Sequence, residues 1–94
     1  MKKLSEQEIK TRLQDLKGWE YNEGLIVKHF AFPTFVDAFV LLTKAAFIAE
    51  KMNHHPDWSG VYNKVTLRLS THDAGGVTQK DLDFAIGIEK SLAD

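Results

Sequence analysis

Cysteine is absent from these 94 residues. That excludes disulfide staples, iron–sulfur clusters and thiolate zinc sites, and it fits a reducing compartment, with the cytoplasm as the expectation. An excess of charge of one sign is also missing: 12 Lys and Arg stand against 13 Asp and Glu, for a net charge of −1. The basic residues are scattered rather than gathered into a run that could neutralise phosphates, which argues against direct nucleic-acid binding. Long hydrophobic runs are lacking as well. The longest apolar-rich stretch, Phe35 to Ala49, is broken by Asp37, Thr43 and Lys44 and is too short to cross a bilayer. Met1-Lys2-Lys3-Leu4-Ser5-Glu6 has basic residues but no apolar segment behind them, so no secretory signal is expected. Without repeats, linkers or low-complexity tracts, residues 1–94 are expected to form one small domain. A chain of this length buries only somewhat more than ~60% of its unfolded surface, so self-association would strengthen it.

What is present alternates between helix and strand signals. Ser5-Glu6-Gln7-Glu8 reads as a capping box, with Leu4 and Ile9 as a hydrophobic staple. Ile9, Leu13 and Leu16 continue one apolar stripe, and Gly18 is placed to end this first helix. Trp19-Glu20-Tyr21, the turn Asn22-Glu23-Gly24 and Leu25 to Phe32 read as a hairpin. Pro33, whose missing N–H costs nothing in a first turn, opens a second helix from about Thr34 to about Asn53, and His54-His55-Pro56 stops it. On that helix Phe35, Phe39, Leu42, Ala46 and Ala49 form one stripe, and Ala38, Leu41, Ala45, Ile48 and Met52 an adjacent one. Covering a sheet needs an arc of roughly 100°, and this arc approaches half the circumference, which implies a second buried contact, either with another subunit in a homo-oligomer or within a deeper intramolecular core.

Trp58 to Tyr62 and Val65 to Ser70 form a second hairpin around Asn63-Lys64. Val65, Leu67 and Leu69 alternate with Thr66, Arg68 and Ser70, so the sheet is covered on one face only. After Gly75-Gly76, Thr78 caps a third helix with Asp81 at its third position, and Leu82, Ala85, Ile86 and Ile88 supply the apolar face. The expected fold is α+β: a two-layer domain in the order αββαββα, with an antiparallel four-stranded sheet covered on one face by three helices.

The candidate chemistry lies in the histidines. His54 and His55 end the second helix and His72 follows the last strand, whereas His29 stays within a strand. His55 precedes Pro56 and is driven toward extended geometry, so the two adjacent imidazoles point in different directions and suit distinct roles. Imidazole titrates near pH ~6.5 and serves as either proton donor or acceptor at neutral pH. Solvated loop histidines are the plainer alternative. Zinc on three imidazoles with Glu50 or Asp73 is a sharper competitor, but adjacent histidines cannot easily ligate one ion and no His-x-x-x-His or His-x-His pair is present, so no metal is expected.

The stretch Ala49-Glu50-Lys51-Met52-Asn53-His54-His55-Pro56-Asp57-Trp58, with Val61-Tyr62-Asn63-Lys64-Val65 and Leu69-Ser70-Thr71-His72 after it, closely resembles the signature of the pterin-4a-carbinolamine dehydratases. Gly18-Trp19 and the αββαββα order extend the resemblance over essentially the whole chain. The resemblance implies removal of water from a 4a-hydroxytetrahydropterin, in tetrahydrobiopterin recycling, without a cofactor. By carry-over, His54 and His72 are the acid–base pair, His55 holds or orients the pterin, and Glu50 supports it. Trp58 forms part of the pocket wall, and Asp81 aligns with a substrate-site position while also reading as a helix-capping acid. Asn53, also placed at the substrate site, stands where many relatives carry Asp, which removes a charge beside the histidines. The implied partners are a pterin substrate, further copies of the chain as a homodimer or homotetramer, and functional coupling to a pterin-dependent aromatic amino-acid hydroxylase. Some relatives also serve as dimerisation partners of a homeodomain transcription factor, so a non-catalytic scaffold of the same fold is the alternative.

Overall fold

A computed structural model describes residues 1–93. Helix α1 (Glu6–Leu13) begins at the expected capping box: the Glu8 amide donates to Ser5 Oγ at 3.1 Å and the Ser5 amide to Glu8 Oε1 at 2.9 Å. It does not run on to Gly18. Beyond Leu13 the chain tightens into i→i+3 bonds, from the amides of Gln14, Asp15 and Leu16 to the carbonyls of Thr11, Arg12 and Leu13. These turns deliver Leu16 and Trp19 into the core, and Gly18, at φ +88°, swings the chain into the sheet.

Strands β1 (Glu20–Asn22) and β2 (Leu25–Ala31) pair through a two-residue turn, Glu23-Gly24, with φ of +49° and +84°. Positive φ at both central residues matches the twist of a tight hairpin. Helix α2 (Phe35–Met52) is capped by Thr34, whose hydroxyl accepts from the Asp37 amide at 3.1 Å, so Pro33 lies just before the cap rather than in the first turn. Strands β3 (Asp57–Val61) and β4 (Lys64–Leu69) close at Tyr62-Asn63, one residue earlier than the sequence suggests. The shift follows from Asn63: its Nδ2 donates to the Phe32 carbonyl at 2.7 Å and its own carbonyl accepts from the Phe32 amide at 2.9 Å, which leaves Tyr62 to take the left-handed φ of +54°. A 3₁₀ turn over His72–Ala74 leads to α3 (Gln79–Leu92).

The fold is thus the expected α+β arrangement in the order αββαββα, with one antiparallel sheet in strand order β1-β2-β4-β3. The register pairs Ile26 with Leu69, Lys28 with Leu67 and Phe30 with Val65, so these side chains share the face beneath the helices. Ile26, Leu67 and Leu69 are fully buried with Leu41, Phe84 and Ile88, and each such side chain contributes about 1.5–3 kcal/mol of transfer free energy. Lys28 reaches out of this face, its Nζ donating to Glu89 Oε2 at 2.8 Å and to the Lys17 carbonyl at 3.1 Å. On α3 the apolar face rests on Leu82, Phe84, Ala85 and Ile88, whereas Ile86 is exposed, contrary to expectation. Placing Ile86 inward would turn the fully buried Asp81 and Phe84 away from the body of the molecule.

Helix α2 divides its wide apolar arc between two environments. Ala38, Leu41, Ala45 and Ala49 are buried, while Phe35, Val36, Phe39, Val40 and Phe47 are exposed. Strand β3 is an edge strand, exposed along its whole length. Among the described residues no helix is long and apolar enough to cross a membrane.

Candidate active site

The end of α2 sets the geometry. Asn53, its C-cap, adopts the left-handed conformation (φ +52°, ψ +47°), which Asn tolerates better than most residues. The reversal separates the two imidazoles that follow. His54 is 8% exposed and His55 is open to solvent.

His54 turns inward. Its Nε2 lies 2.5 Å from Asp81 Oδ1, and its ring packs edge-on against Phe84 with centroids 6.5 Å apart. Asp81, at N3 of α3, has no exposed surface. Its other oxygen, Oδ2, accepts from the Thr78 amide and from Thr71 Oγ1, both at 2.9 Å. Thr71 and Thr78 hydroxyls are themselves 2.7 Å apart, and Thr78 Oγ1 accepts from the Lys80 amide at 3.2 Å. One carboxylate therefore ties together the end of α2, the segment leaving β4 and the start of α3. Such a group is costly to bury unless it is well hydrogen-bonded, and here both oxygens have partners.

His55 turns outward. Its Nε2 pairs with Glu50 Oε2 at 2.8 Å, one turn back on α2, with both side chains mostly solvent-exposed. The pair lies on a groove of about 440 Å³ lined by Leu42, Ala45, Ala49, Trp58 and Leu67, within the size range of small-molecule sites. Trp58 projects from β3 on the same sheet face as Leu67 and leaves much of its indole uncovered. Neither His54 nor His72 lines this groove.

His72 is exposed in the 3₁₀ turn, one residue beyond Thr71 and hence one covalent step from the Asp81 network. His29 is remote in role: it pairs with Thr66 at 2.9 Å across the uncovered sheet face. Asn53 is exposed, and its observable task is the helix reversal. Among the described residues no group of three or more His, Asp or Glu is arranged to hold a metal.

Thr71 and Thr78 were not singled out as site residues from sequence, although one signal was available. Val65, Leu67 and Leu69 point inward, and Thr71 continues that alternation as a polar residue that is buried. A hydroxyl in an inward register needs a partner, and Asp81 is that partner.

The site thus holds two histidine–carboxylate couples, one buried and one lining an apolar groove, and such pairs are chemically able to give and take protons. The family model for pterin 4 alpha carbinolamine dehydratase matches residues 2–91, and the chain belongs to that family. Relatives provisionally named as pterin-4-alpha-carbinolamine dehydratases include one from Prochlorococcus marinus, 47% identical over 94% of this chain and 92% of its own. Another, from Sulfurisphaera tokodaii, is 47% identical over 98% of this chain and 99% of its own. Among solved structures, a transcriptional coactivator/pterin dehydratase from Brucella melitensis superposes with a TM-score of 0.90 at 37% identity, covering 94% of this chain and 96% of that one. A pterin dehydratase-like RuBisCO assembly factor of the alpha-carboxysome shares the fold, with a TM-score of 0.69 at 18% identity over 82% of this chain and 92% of its own.

Proposed function

We propose that this chain dehydrates a 4a-hydroxytetrahydropterin, in tetrahydrobiopterin recycling, by histidine acid–base catalysis. The C4a–O bond breaks with its electron pair on oxygen, a proton is delivered to the departing hydroxyl, and a ring N–H proton is removed as the C=N bond forms. The products are the quinonoid dihydropterin and water, so the step is redox-neutral. His54 and His72 serve as the proton-transfer pair, and His55, steadied by Glu50, holds the pterin against Trp58. Positioned acid–base groups of this kind supply roughly 10²–10⁴-fold acceleration. The observation that carries the reading is the pairing of two consecutive histidines with two different carboxylates, one couple buried and one lining an apolar groove.

The test is stopped-flow decay of freshly generated 4a-hydroxytetrahydropterin with and without chelator-treated protein. Acceleration that survives chelation supports the proposal. Decay at the uncatalysed rate overturns it, and acceleration lost to chelation would install a metal in place of the histidine mechanism.

The exposed phenyl rings of α2 and the open edge of β3 favour a homodimer or homotetramer; a cytoplasmic location and functional coupling to a pterin-dependent hydroxylase belong to the same proposal and rest on the family alone. The same exposed face supports a second reading, a non-catalytic scaffold of this fold. A monomer by size-exclusion chromatography with light scattering would count against both uses of that face, and measured turnover would separate enzyme from scaffold.

A further inference from the structure

The tautomer of His54, and with it the atom that handles the proton, is written into the Asp81 network. An ionised carboxylate only accepts hydrogen bonds, so His54 Nε2, at 2.5 Å from Asp81 Oδ1, must carry a hydrogen. Nδ1 is then the lone-pair nitrogen of the neutral ring. Among the described residues no buried side-chain nitrogen or oxygen is left without a hydrogen-bond partner. Among the described residues Nδ1 of the buried His54 has no hydrogen-bond partner, so the small exposed part of this residue includes Nδ1. The lone pair faces out of the protein while the N–H faces in.

The carboxylate itself cannot turn. Oδ2 is held by the Thr78 amide, an obligatory donor that also caps α3, and by the Thr71 hydroxyl. Thr71 completes its own pattern by accepting from Thr78 Oγ1 at 2.7 Å. We propose that Asp81, clamped by Thr71 and Thr78, locks His54 in the Nε2–H tautomer and thereby makes Nδ1 the atom that accepts the substrate's proton. Asp81 is then a positioning residue that acts through His54, and not a group that touches the pterin. Its lack of exposed surface agrees with this assignment. Thr71, which precedes His72, becomes a second positioning residue that ties the two histidine segments together. The inference rests on the dehydratase reading for the identity of the proton and deepens it by naming the base and its atom.

Asp81→Asn has a defined consequence. The Thr78 amide still demands an oxygen at the Oδ2 position, which puts the amino group of the substituted side chain opposite His54 Nε2. Two donors cannot face each other, so the neutral ring must move its hydrogen to Nδ1. The experiment is long-range ¹H–¹⁵N correlation of the imidazoles of the full chain above the histidine titration range, with steady-state kinetics on the same samples. Expected in the wild type is a pyrrole-type Nε2 and a pyridine-type Nδ1 for His54. In Asp81→Asn the pattern inverts and kcat falls about 100-fold or more with KM within about twofold, as when an orienting carboxylate beside a catalytic imidazole is made an amide. Thr71→Val should retain the wild-type tautomer with a smaller loss of kcat.

A pyrrole-type Nδ1 in the wild type overturns the proposal, and this measurement does not depend on any variant folding. An unchanged tautomer or unchanged kcat in folded Asp81→Asn overturns it too. The two readings fail separately: an active dehydratase with Nδ1–H sinks the tautomer lock alone, whereas an inactive chain with Nε2–H sinks the dehydratase and leaves the lock standing.

Discussion

His54 and His55 are consecutive in the chain and chemically alike, yet they occupy opposite environments. His54 is buried against a fully buried carboxylate on another helix, and His55 is exposed beside an exposed carboxylate on the helix it follows. The first couple is held from both ends, by Phe84 against the imidazole and by Thr71 and Thr78 on the carboxylate. The second is free to re-form around whatever enters the groove. Exposed ion pairs contribute about 0–1 kcal/mol, because water competes for both partners, whereas each buried donor left without its acceptor costs about 1–3 kcal/mol. The difference teaches that one residue step, through a left-handed Asn and a following Pro, lets a single dipeptide supply both an imidazole fixed in the interior and one open to solvent, the contrast on which the proposed division of labour rests.

Kinetics offers the sharpest way to break this comparison. His54→Gln is expected to lower kcat by about 10²–10⁴-fold with little change in KM, while His55→Gln should act mainly on KM. Equal losses of kcat would erase the division of labour. His72→Ala belongs with the first group: turnover is expected to collapse while the urea midpoint stays at the wild-type value, since His72 is exposed in its 3₁₀ turn.

Stability draws the same contrast. Asp81→Ala, which leaves the His54 ring N–H, the Thr71 hydroxyl and the Thr78 amide without their acceptor, should destabilise the chain by about 3 kcal/mol or more, and Glu50→Ala by less than about 1 kcal/mol, in urea unfolding monitored by circular dichroism. Comparable costs would show that burial does not separate the two couples. A smaller effect is expected at the hinge between them. Asn53→Ala should cost about 1–2 kcal/mol for placing a Cβ in the left-handed region without the amide, and Asn53→Gly should be close to neutral.

The smallest effect is expected at the exposed capping box of α1, outside both couples. Ser5 holds the Glu8 carboxyl below its ordinary range, chiefly by the hydrogen bond from the Ser5 backbone and then by that from its side chain. A carboxyl lowered on folding stabilises the native state above its unfolded value, and that contribution is lost as pH falls through the lowered folded value. Glu8→Gln should therefore flatten the acid limb of the stability profile slightly. A matching change near neutral pH would point to a different titrating group.

Much of the fold was legible because it is written in local patterns. Alternation in Val65, Leu67 and Leu69 fixed the covered face of the sheet, and Ser5 and Thr78 announced two helix starts. Where expectation and structure part, a longer-range contact decides. Asn63 pins Phe32 and moves the second turn by one residue, and the fully buried Phe84 and Asp81 rotate α3 so that Ile86 faces outward. The site was legible as a set of residue types, but Asp81 read as a substrate-site position and a cap, with no sign that it would meet His54.

By itself the sequence determined the order αββαββα, the histidine-rich end of the second helix and the surplus of apolar surface on that helix, because periodicity, capping and proline punctuation act over a few residues. Only the tertiary structure decided which histidine is buried, which carboxylate each one meets and which ring nitrogen is left open. Those outcomes depend on a hydrogen bond between residues 27 apart in the chain, and no local propensity specifies such a contact until the sheet and helices have packed.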